Sequence, residues 1–246
     1  MRPLSKSALQ AGAQCPRLLW FRYNNCETDT SGDEFAAQDQ FIIGDIVGEA
    51  AQRYFDGKTV IIDTSAGFNE REYSKYAEQT RRAMDDPSVG VIAEAAFYTG
   101  ELIVFVDLLK RNEDGSWDIY EVKSSRQAKP VHAQDCAWQT YVVRTLCGVN
   151  VRESHLMIPR RGWSALQGCV SIDVDDFEIV DDYSDWIYSQ SVGSEIPRRI
   201  SEFIDMVRRP EPPACECGTP GRGYCCVEPY PCNYTNICSE YLEQGV

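Results

Sequence analysis

The sequence predicts an α/β domain followed by a cysteine-rich tail. Helical spacing of apolar residues dominates the first third of the chain, and short segments rich in β-branched and aromatic residues follow it. Of the 11 cysteines in the 246 residues, the last six lie beyond residue 214. A chain of this length, 43% hydrophobic, is long enough for one large domain or two small ones.

The predicted helices come first. A short helix is expected over residues 5–23, with the pair Cys15-Pro16 near its middle. Residues 34–55 carry apolar side chains at helical spacing, which predicts a second helix. A more polar helix is expected over 70–84, because the Asp-Asp-Pro sequence after it is typical of a helix end.

The middle of the chain changes period and predicts a β-meander. Its three strands are expected over 91–98, 101–110 and 117–123, separated by turn residues. The later elements are predicted as a helix over 131–146, strands over 152–158 and 169–174, and helices over 177–189 and 194–208. The Pro-rich segment 209–213 then marks a domain boundary, and the tail beyond it has few aliphatic residues.

The charge and the hydropathy exclude some classes of protein. Acids outnumber bases 38 to 24, and the net charge of −14 argues against tight, non-specific binding to nucleic acid or anionic membranes. A local basic groove remains compatible with that sum. No apolar run approaches the length of a membrane span, and the first residues lack the apolar core of a signal peptide. We therefore expect a cytoplasmic protein with no membrane partner.

Asp107, Glu121 and Lys123 form the sharpest candidate site. Glu121 and Lys123 share one face of the third predicted strand, and a tight turn would bring that strand back beside Asp107. Two carboxylates and the Val122 carbonyl are hard oxygen ligands that suit Mg²⁺ or Mn²⁺ in phosphodiester hydrolysis. The alternative is a cross-strand ion pair on a solvated face, worth under about 1 kcal/mol.

Residues 105–107 (FVD) and 121–125 (EVKSS) resemble the core motif of the PD-(D/E)XK nuclease superfamily, and the RecB-like exonucleases are the most similar group. Residues 135–141 (DCAWQTY) resemble a downstream motif of that group, with Gln139 at the position of its glutamine. The resemblance implies a restriction-endonuclease-like core, a mixed sheet flanked by helices. In it Lys123 activates the water, and Gln139 orients Lys123 or the substrate strand.

A third motif is only partly matched. Residues 44–49 (GDIVGE) resemble a helix that carries a metal-binding histidine in these exonucleases, but Gly48 stands at the histidine position. The resemblance therefore implies a metal site with one ligand fewer, which Glu49 or Glu94 compensates.

The cysteine cluster indicates a metal site of its own. An odd number of cysteines in a chain without an export signal fits reduced thiols better than a disulfide scaffold. From spacing alone, Cys215, Cys217, Cys225 and Cys226 could form a zinc site. The resemblance implies a different set, a 4Fe–4S cluster held by Cys15, Cys226, Cys232 and Cys238, with Cys225 as the alternative to Cys226.

The resemblance is closest to CRISPR-associated nucleases (the fourth Cas protein) and to related uncharacterised bacterial proteins. It implies a segment 1–33 that contributes one cluster cysteine, a nuclease core at 34–209 and a cysteine-rich cap at 210–246. The implied activity is a metal-dependent DNA exonuclease acting on single-stranded ends, in CRISPR spacer acquisition with integrase partners, or in DNA repair or defence. Two alternatives stay open: an inactive module that binds DNA ends or a partner, and a zinc-stabilised protein–protein adaptor.

Overall fold

The computed structural model of the chain describes residues 2–26, 34–160, 163, 171–214, 226–227 and 229–243. The chain divides into two compact units. The first contains Met1–Pro3 and Phe35–Gly193, and the second contains Leu4–Glu34 and Ser194–Val246. The second unit therefore combines segments from both ends of the sequence.

The structure has helices α1 (Lys6–Gln14), α2 (Pro16–Tyr23), α3 (Glu34–Ala51), α4 (Glu70–Asp85), α5 (Pro130–Tyr141), α6 (Ser184–Val192), α7 (Glu195–Val207) and α8 (Thr235–Glu243). Its strands are β1 (Leu4–Ser5), β2 (Lys58–Ile61), β3 (Val89–Tyr98), β4 (Leu102–Arg111), β5 (Trp117–Val122), β6 (Val151–Pro159) and β7 (Phe177–Val180). A π-helical segment, Val142–Leu146, continues α5, and Val174–Asp176 forms a short 3-10 helix. None of the described helices is long and apolar enough to cross a membrane.

The first unit is built on a mixed sheet, as the sequence predicted at the level of the α/β class. Its strands follow the order β2-β3-β4-β5-β6-β7. The meander β3-β4-β5 is antiparallel, whereas β2 pairs in parallel with β3 and β5 pairs in parallel with β6. Because parallel neighbours need a crossover connection, α5 leaves the end of β5 and returns the chain to the start of β6.

Helices cover the sheet with apolar side chains. Val47 and Ala50 of α3 pack in one buried cluster with Val91 and Leu108 of the sheet. Thr80 of α4 is buried, and its hydroxyl accepts a hydrogen bond from the Ala96 amide at 2.9 Å. The packing of α3 follows from its apolar spacing.

The predictions of a strand over 169–174 and of a helix from residue 177 are wrong between residues 171 and 183, whereas 184–189 are helical as predicted. The described part of the expected strand, 171–174, is irregular and then turns into the 3-10 helix, while Phe177–Val180 is the edge strand β7. Phe177 is fully buried and the segment pairs antiparallel with β6, so pairing and burial outweigh its charged neighbours. The helix begins only at Ser184. Strand β2 and helix α8 were not predicted.

In the second unit, the single helix expected over 5–23 is two helices. Cys15 has φ −156° and ψ 121°, an extended conformation between α1 and α2. The residue before a proline is excluded from the helical region by the proline ring, so Pro16 ends the first helix and begins the second.

Segments from the two ends of the sequence contact each other inside this unit. The Trp20 indole donates to the Arg209 carbonyl at 3.0 Å. The Phe21 ring stacks on Tyr234, with ring centroids 5.6 Å apart. These contacts hold α2 beside the C-terminal segment.

Candidate functional site

A cavity of about 440 Å³ opens in the first unit, where α3 faces the strands β3, β4 and β5. Four carboxylate residues line it: Asp45, Glu49, Glu94 and Asp107. Val122 and Lys123 complete one wall. The cavity thus gathers carboxylates from three elements, α3, β3 and β4, beside the Lys123 ammonium.

The β4–β5 hairpin brings Asp107 beside the third strand of the meander. The paired ladder ends at Leu108 and Tyr120. One position further on, the Asp107 carboxylate accepts a hydrogen bond from the Val122 amide at 2.7 Å. The side chain therefore replaces a backbone carbonyl as the acceptor for this amide and sits at the end of the ladder.

Glu94 lies opposite Asp107 in an unusual backbone conformation. The pairs Ala93–Leu108 and Ala95–Val106 flank this position in the β3–β4 ladder. Glu94 has φ 54°, in the left-handed region that a non-glycine residue seldom adopts, and that costs about 1–3 kcal/mol. Strain of this kind accumulates where a side chain must be aimed at a site, and Glu94 lines the cavity.

The Lys123 ammonium lies between two buried carboxylates. Its Nζ is 2.6 Å from Glu121 Oε1 and 2.9 Å from Asp135 Oδ2, and both acids are at most 1% exposed. Burial by itself lowers the pKa of Lys123, but the two carboxylates outweigh it and raise that pKa above its ordinary value. The lysine is therefore a fixed positive charge at the cavity wall.

Gln139 contacts the glutamate and not the lysine. The fully buried amide of Gln139 on α5 donates through Nε2 to Glu121 Oε2. Its Oε1 has no hydrogen-bond partner within the described residues. Gln139 therefore contacts Glu121, two positions before Lys123, and its implied role of orienting Lys123 or a substrate strand stays a prediction.

His132, in the first turn of α5, is 6% exposed and close to the lysine. Burial, followed by the charges of Lys123 and Lys129, lowers the pKa of His132 to about 4. The imidazole is therefore neutral near pH 7 and adds no charge to the site.

Asp135 was missed as a member of the site. A signal for it exists in the sequence, because positions 132, 135 and 139 follow the i, i+3, i+7 spacing of one helix face. Three polar side chains on a face that is otherwise buried indicate shared partners. Asp135 meets Lys123, and Gln139 meets Glu121.

The cysteines expected to hold a cluster are in the second unit. Cys15 is buried, whereas Cys226, Cys232 and Cys238 are partly exposed. The Cys232 amide donates to the Cys226 carbonyl at 2.9 Å, which closes a turn between two of them. Cys215, Cys217 and Cys225, named for the zinc alternative, lie outside the described residues.

The buried guanidinium of Arg17 is a second feature of this unit. Arg17 is 1% exposed and donates from Nε to the Pro213 carbonyl at 2.8 Å. Its NH1 donates to the Cys238 sulfur at 3.7 Å. A guanidinium directed at a sulfur would complement the negative charge of a metal-bound thiolate.

A different group of residues satisfies a distance criterion for a single metal ion. Ligand atoms of Asp118, Glu153 and His155 lie within 4.8 Å of one another, and within the described residues no group of three cysteines does so. Asp118 is bound to Arg152 at 2.7 Å, and His155 Nδ1 lies 2.9 Å from Asp181. Side chains of this same chain thus already contact the group, which forms a charged, hydrogen-bonded cluster on the neighbouring strands β5 and β6.

No family model matches the chain, and no curated protein matches it. The function must therefore be argued from the arrangement of side chains.

Proposed function

We propose that the protein is a metal-dependent nuclease that hydrolyses phosphodiester bonds of DNA, with the carboxylate-lined cavity as its active site. The observation that carries the proposal is the convergence of Asp107, Glu121 and Lys123 at the end of one hairpin. The chemistry requires hard oxygen ligands beside a fixed cation, and the donor set of the cavity fits.

Asp107 of the cavity lining and the fully buried Glu121, which contacts Lys123, would hold Mg²⁺ or Mn²⁺ with the Val122 carbonyl. Glu94 and Glu49 also line the cavity and are further oxygen donors. When bound, such an ion neutralises charge on the phosphate and lowers the pKa of a coordinated water. Gln139 fixes one oxygen of Glu121 through its amide, so that the carboxylate is held in one orientation.

Lys123 contributes a charge and not a proton-accepting group. Its raised pKa keeps the ammonium protonated at neutral pH. A protonated lysine at the cavity wall stabilises the negative charge that develops on the phosphate oxygens during hydrolysis. The resemblance implied that Lys123 positions and activates the water; the two carboxylates around the ammonium favour electrostatic stabilisation instead.

The test is degradation of end-labelled single-stranded DNA with Mn²⁺ or Mg²⁺. We expect Lys123→Ala to reduce the rate by a factor of about 100 or more. Lys75→Ala is the matched control, because Lys75 pairs with Glu72 on the solvent-facing side of α4 and does not line the cavity. This active site would be contradicted if both variants lost the same degradation activity, or if both kept the wild-type rate. If the wild-type protein binds DNA ends but does not cut them, the protein is a non-catalytic binding module and the nuclease proposal is wrong.

The cysteines of the second unit are proposed to hold a 4Fe–4S cluster. Four thiolates are the ligand set such a cluster needs, and Cys15, Cys226, Cys232 and Cys238 belong to one compact unit. Four cysteine thiolates suit a tetrahedral zinc as well, so the metal has to be identified by analysis.

Metal analysis of anaerobically purified protein separates the two metals. Iron with acid-labile sulfide, lost in Cys238→Ser and retained in Cys147→Ser, is the expected result. Zinc without iron would favour the protein–protein adaptor. The CRISPR or repair pathway and its integrase partners stay proposals from the resemblance.

A further inference from the structure

The ion pairs of Lys123 join two elements. Glu121 and Lys123 both come from the end of β5, whereas Asp135 comes from α5. The ammonium touches one carboxylate on each element, at 2.6 and 2.9 Å. It therefore has one anionic partner that is a candidate metal ligand and another that is not.

A divalent cation on Glu121 would change the balance between these partners. The cation and the ammonium compete for the same carboxylate and repel each other. A buried ammonium that loses its anion is strongly destabilised, because water does not replace the lost interaction. Lys123 is only 22% exposed in its side chain, so this cost applies to it.

Asp135 is placed to remove that cost. Its carboxylate already contacts Nζ, so no backbone movement is needed for the lysine to remain paired. His132, the other titratable group close by on α5, carries no negative charge in either protonation state, so it cannot take the place of Asp135.

We propose that Asp135 is a positioning residue that retains the Lys123 ammonium at the cavity wall when a divalent cation binds Asp107 and Glu121. The inference rests on the proposed function, since it assumes a cation in this cavity. Asp135 thereby makes cation binding compatible with a charged lysine in the same site. Without it, cation and lysine exclude each other.

The experiment measures Mn²⁺ affinity by calorimetric titration of the full chain without DNA. Asp135→Asn is expected to weaken Mn²⁺ binding roughly tenfold or more, because bound Mn²⁺ would then leave the ammonium unpaired. Lys123→Met is expected to strengthen binding by removing the competing charge. In the double variant Asp135→Asn/Lys123→Met, affinity should equal that of Lys123→Met within about twofold, because Asp135 acts through the lysine.

The matched control is Asp86→Asn. This change breaks a Lys–Asp pair with the same 2.9 Å separation, between Lys58 and Asp86, at an exposed position that does not line the cavity. Its Mn²⁺ affinity should stay at the wild-type value. Asp135→Glu, which retains the charge, should restore most of the lost affinity. The double variant removes both charges of the Lys123–Asp135 pair and retains Gln139 as a partner of Glu121, so it remains testable if Asp135→Asn folds poorly.

The outcomes separate this inference from the proposed function. If wild-type protein binds Mn²⁺ and the Asp135→Asn variant binds it with the same affinity, the proposed role of Asp135 is wrong. The nuclease proposal is then unaffected. Weakening that persists in the Lys123→Met background also overturns the role of Asp135, since Asp135 would then act on the ion directly. Wild-type protein that binds no Mn²⁺ overturns both.

Discussion

Acid should destabilise the fold through His132. The side chain is 6% exposed, and burial with the charges of Lys123 and Lys129 lowers its pKa to about 4. In an unfolded chain a histidine titrates near pH 6.5. As the pH falls, the unfolded chain therefore binds this proton first, and the free energy of unfolding decreases between about pH 6.5 and pH 4.

The size of the effect follows from that difference in pKa. At 1.36 kcal/mol per pKa unit, full protonation costs about 3 kcal/mol of stability at pH 4 and below. At pH 5 the same linkage gives a loss of about 2 kcal/mol relative to pH 8. This is a large fraction of the roughly 5–15 kcal/mol by which a domain is stable.

Urea unfolding of wild-type and His132→Gln protein, from pH 8 to pH 4, measures the difference. As the pH falls from about 6.5 to 4, the free energy of unfolding should decrease less for His132→Gln than for wild type. The reason is that the variant lacks the imidazole whose pKa is lowered in the folded protein. His155→Gln is the matched control, since His155 is also buried but faces the carboxylates of Glu153 and Asp181. Parallel curves for wild type and His132→Gln would refute the reasoning. An NMR titration adds a second check, in which Lys123→Met should raise the pKa of His132.

Three further predictions concern stability and iron. Gly12→Val should lower the free energy of unfolding in denaturant by about 1–3 kcal/mol, since a Cβ at residue 12 would lie 2.8 Å from a side-chain carbon of Leu19. A variant as stable as wild type would contradict this close packing. Thr80→Val, nearly isosteric, should cost about 1–3 kcal/mol by leaving the buried Ala96 amide without its acceptor, and an unchanged unfolding midpoint would count against that bond. Arg17→Leu should reduce the iron per chain in purified protein, because the Cys238 sulfur would lose the guanidinium that donates to it; full iron occupancy would show that Arg17 is dispensable.

Local pattern was enough to predict the hairpin of the candidate site. Alternation places Glu121 and Lys123 on one face, and a tight turn returns the strand toward Asp107; the structure has this hairpin, and Lys123 contacts Glu121. Asp107 binds the Val122 amide at the end of the ladder. These contacts depend on neighbours within one hairpin, so short-range rules capture them.

The rest of the site depends on tertiary docking. Asp135 becomes a partner of Lys123 only because α5 crosses between β5 and β6, and the sequence motif alone does not state which side chain it meets. The left-handed backbone of Glu94 is set by its position opposite Asp107, and no propensity rule anticipates it. In contrast, the break at Cys15 follows directly from Pro16 and was available from the sequence.

The composition of the second unit has a consequence for biosynthesis. Its helix α2 is translated before the first unit, yet Arg209, Pro213 and Tyr234, which α2 contacts, are translated only after the first unit. Domains generally fold as units during synthesis, so the first unit can complete its sheet while α1 and α2 still lack their partners. Helix α2 must therefore stay accessible until residues 209–234 have been translated. A chain that stalls before that point would expose the apolar side chains of α2 to chaperones and proteases.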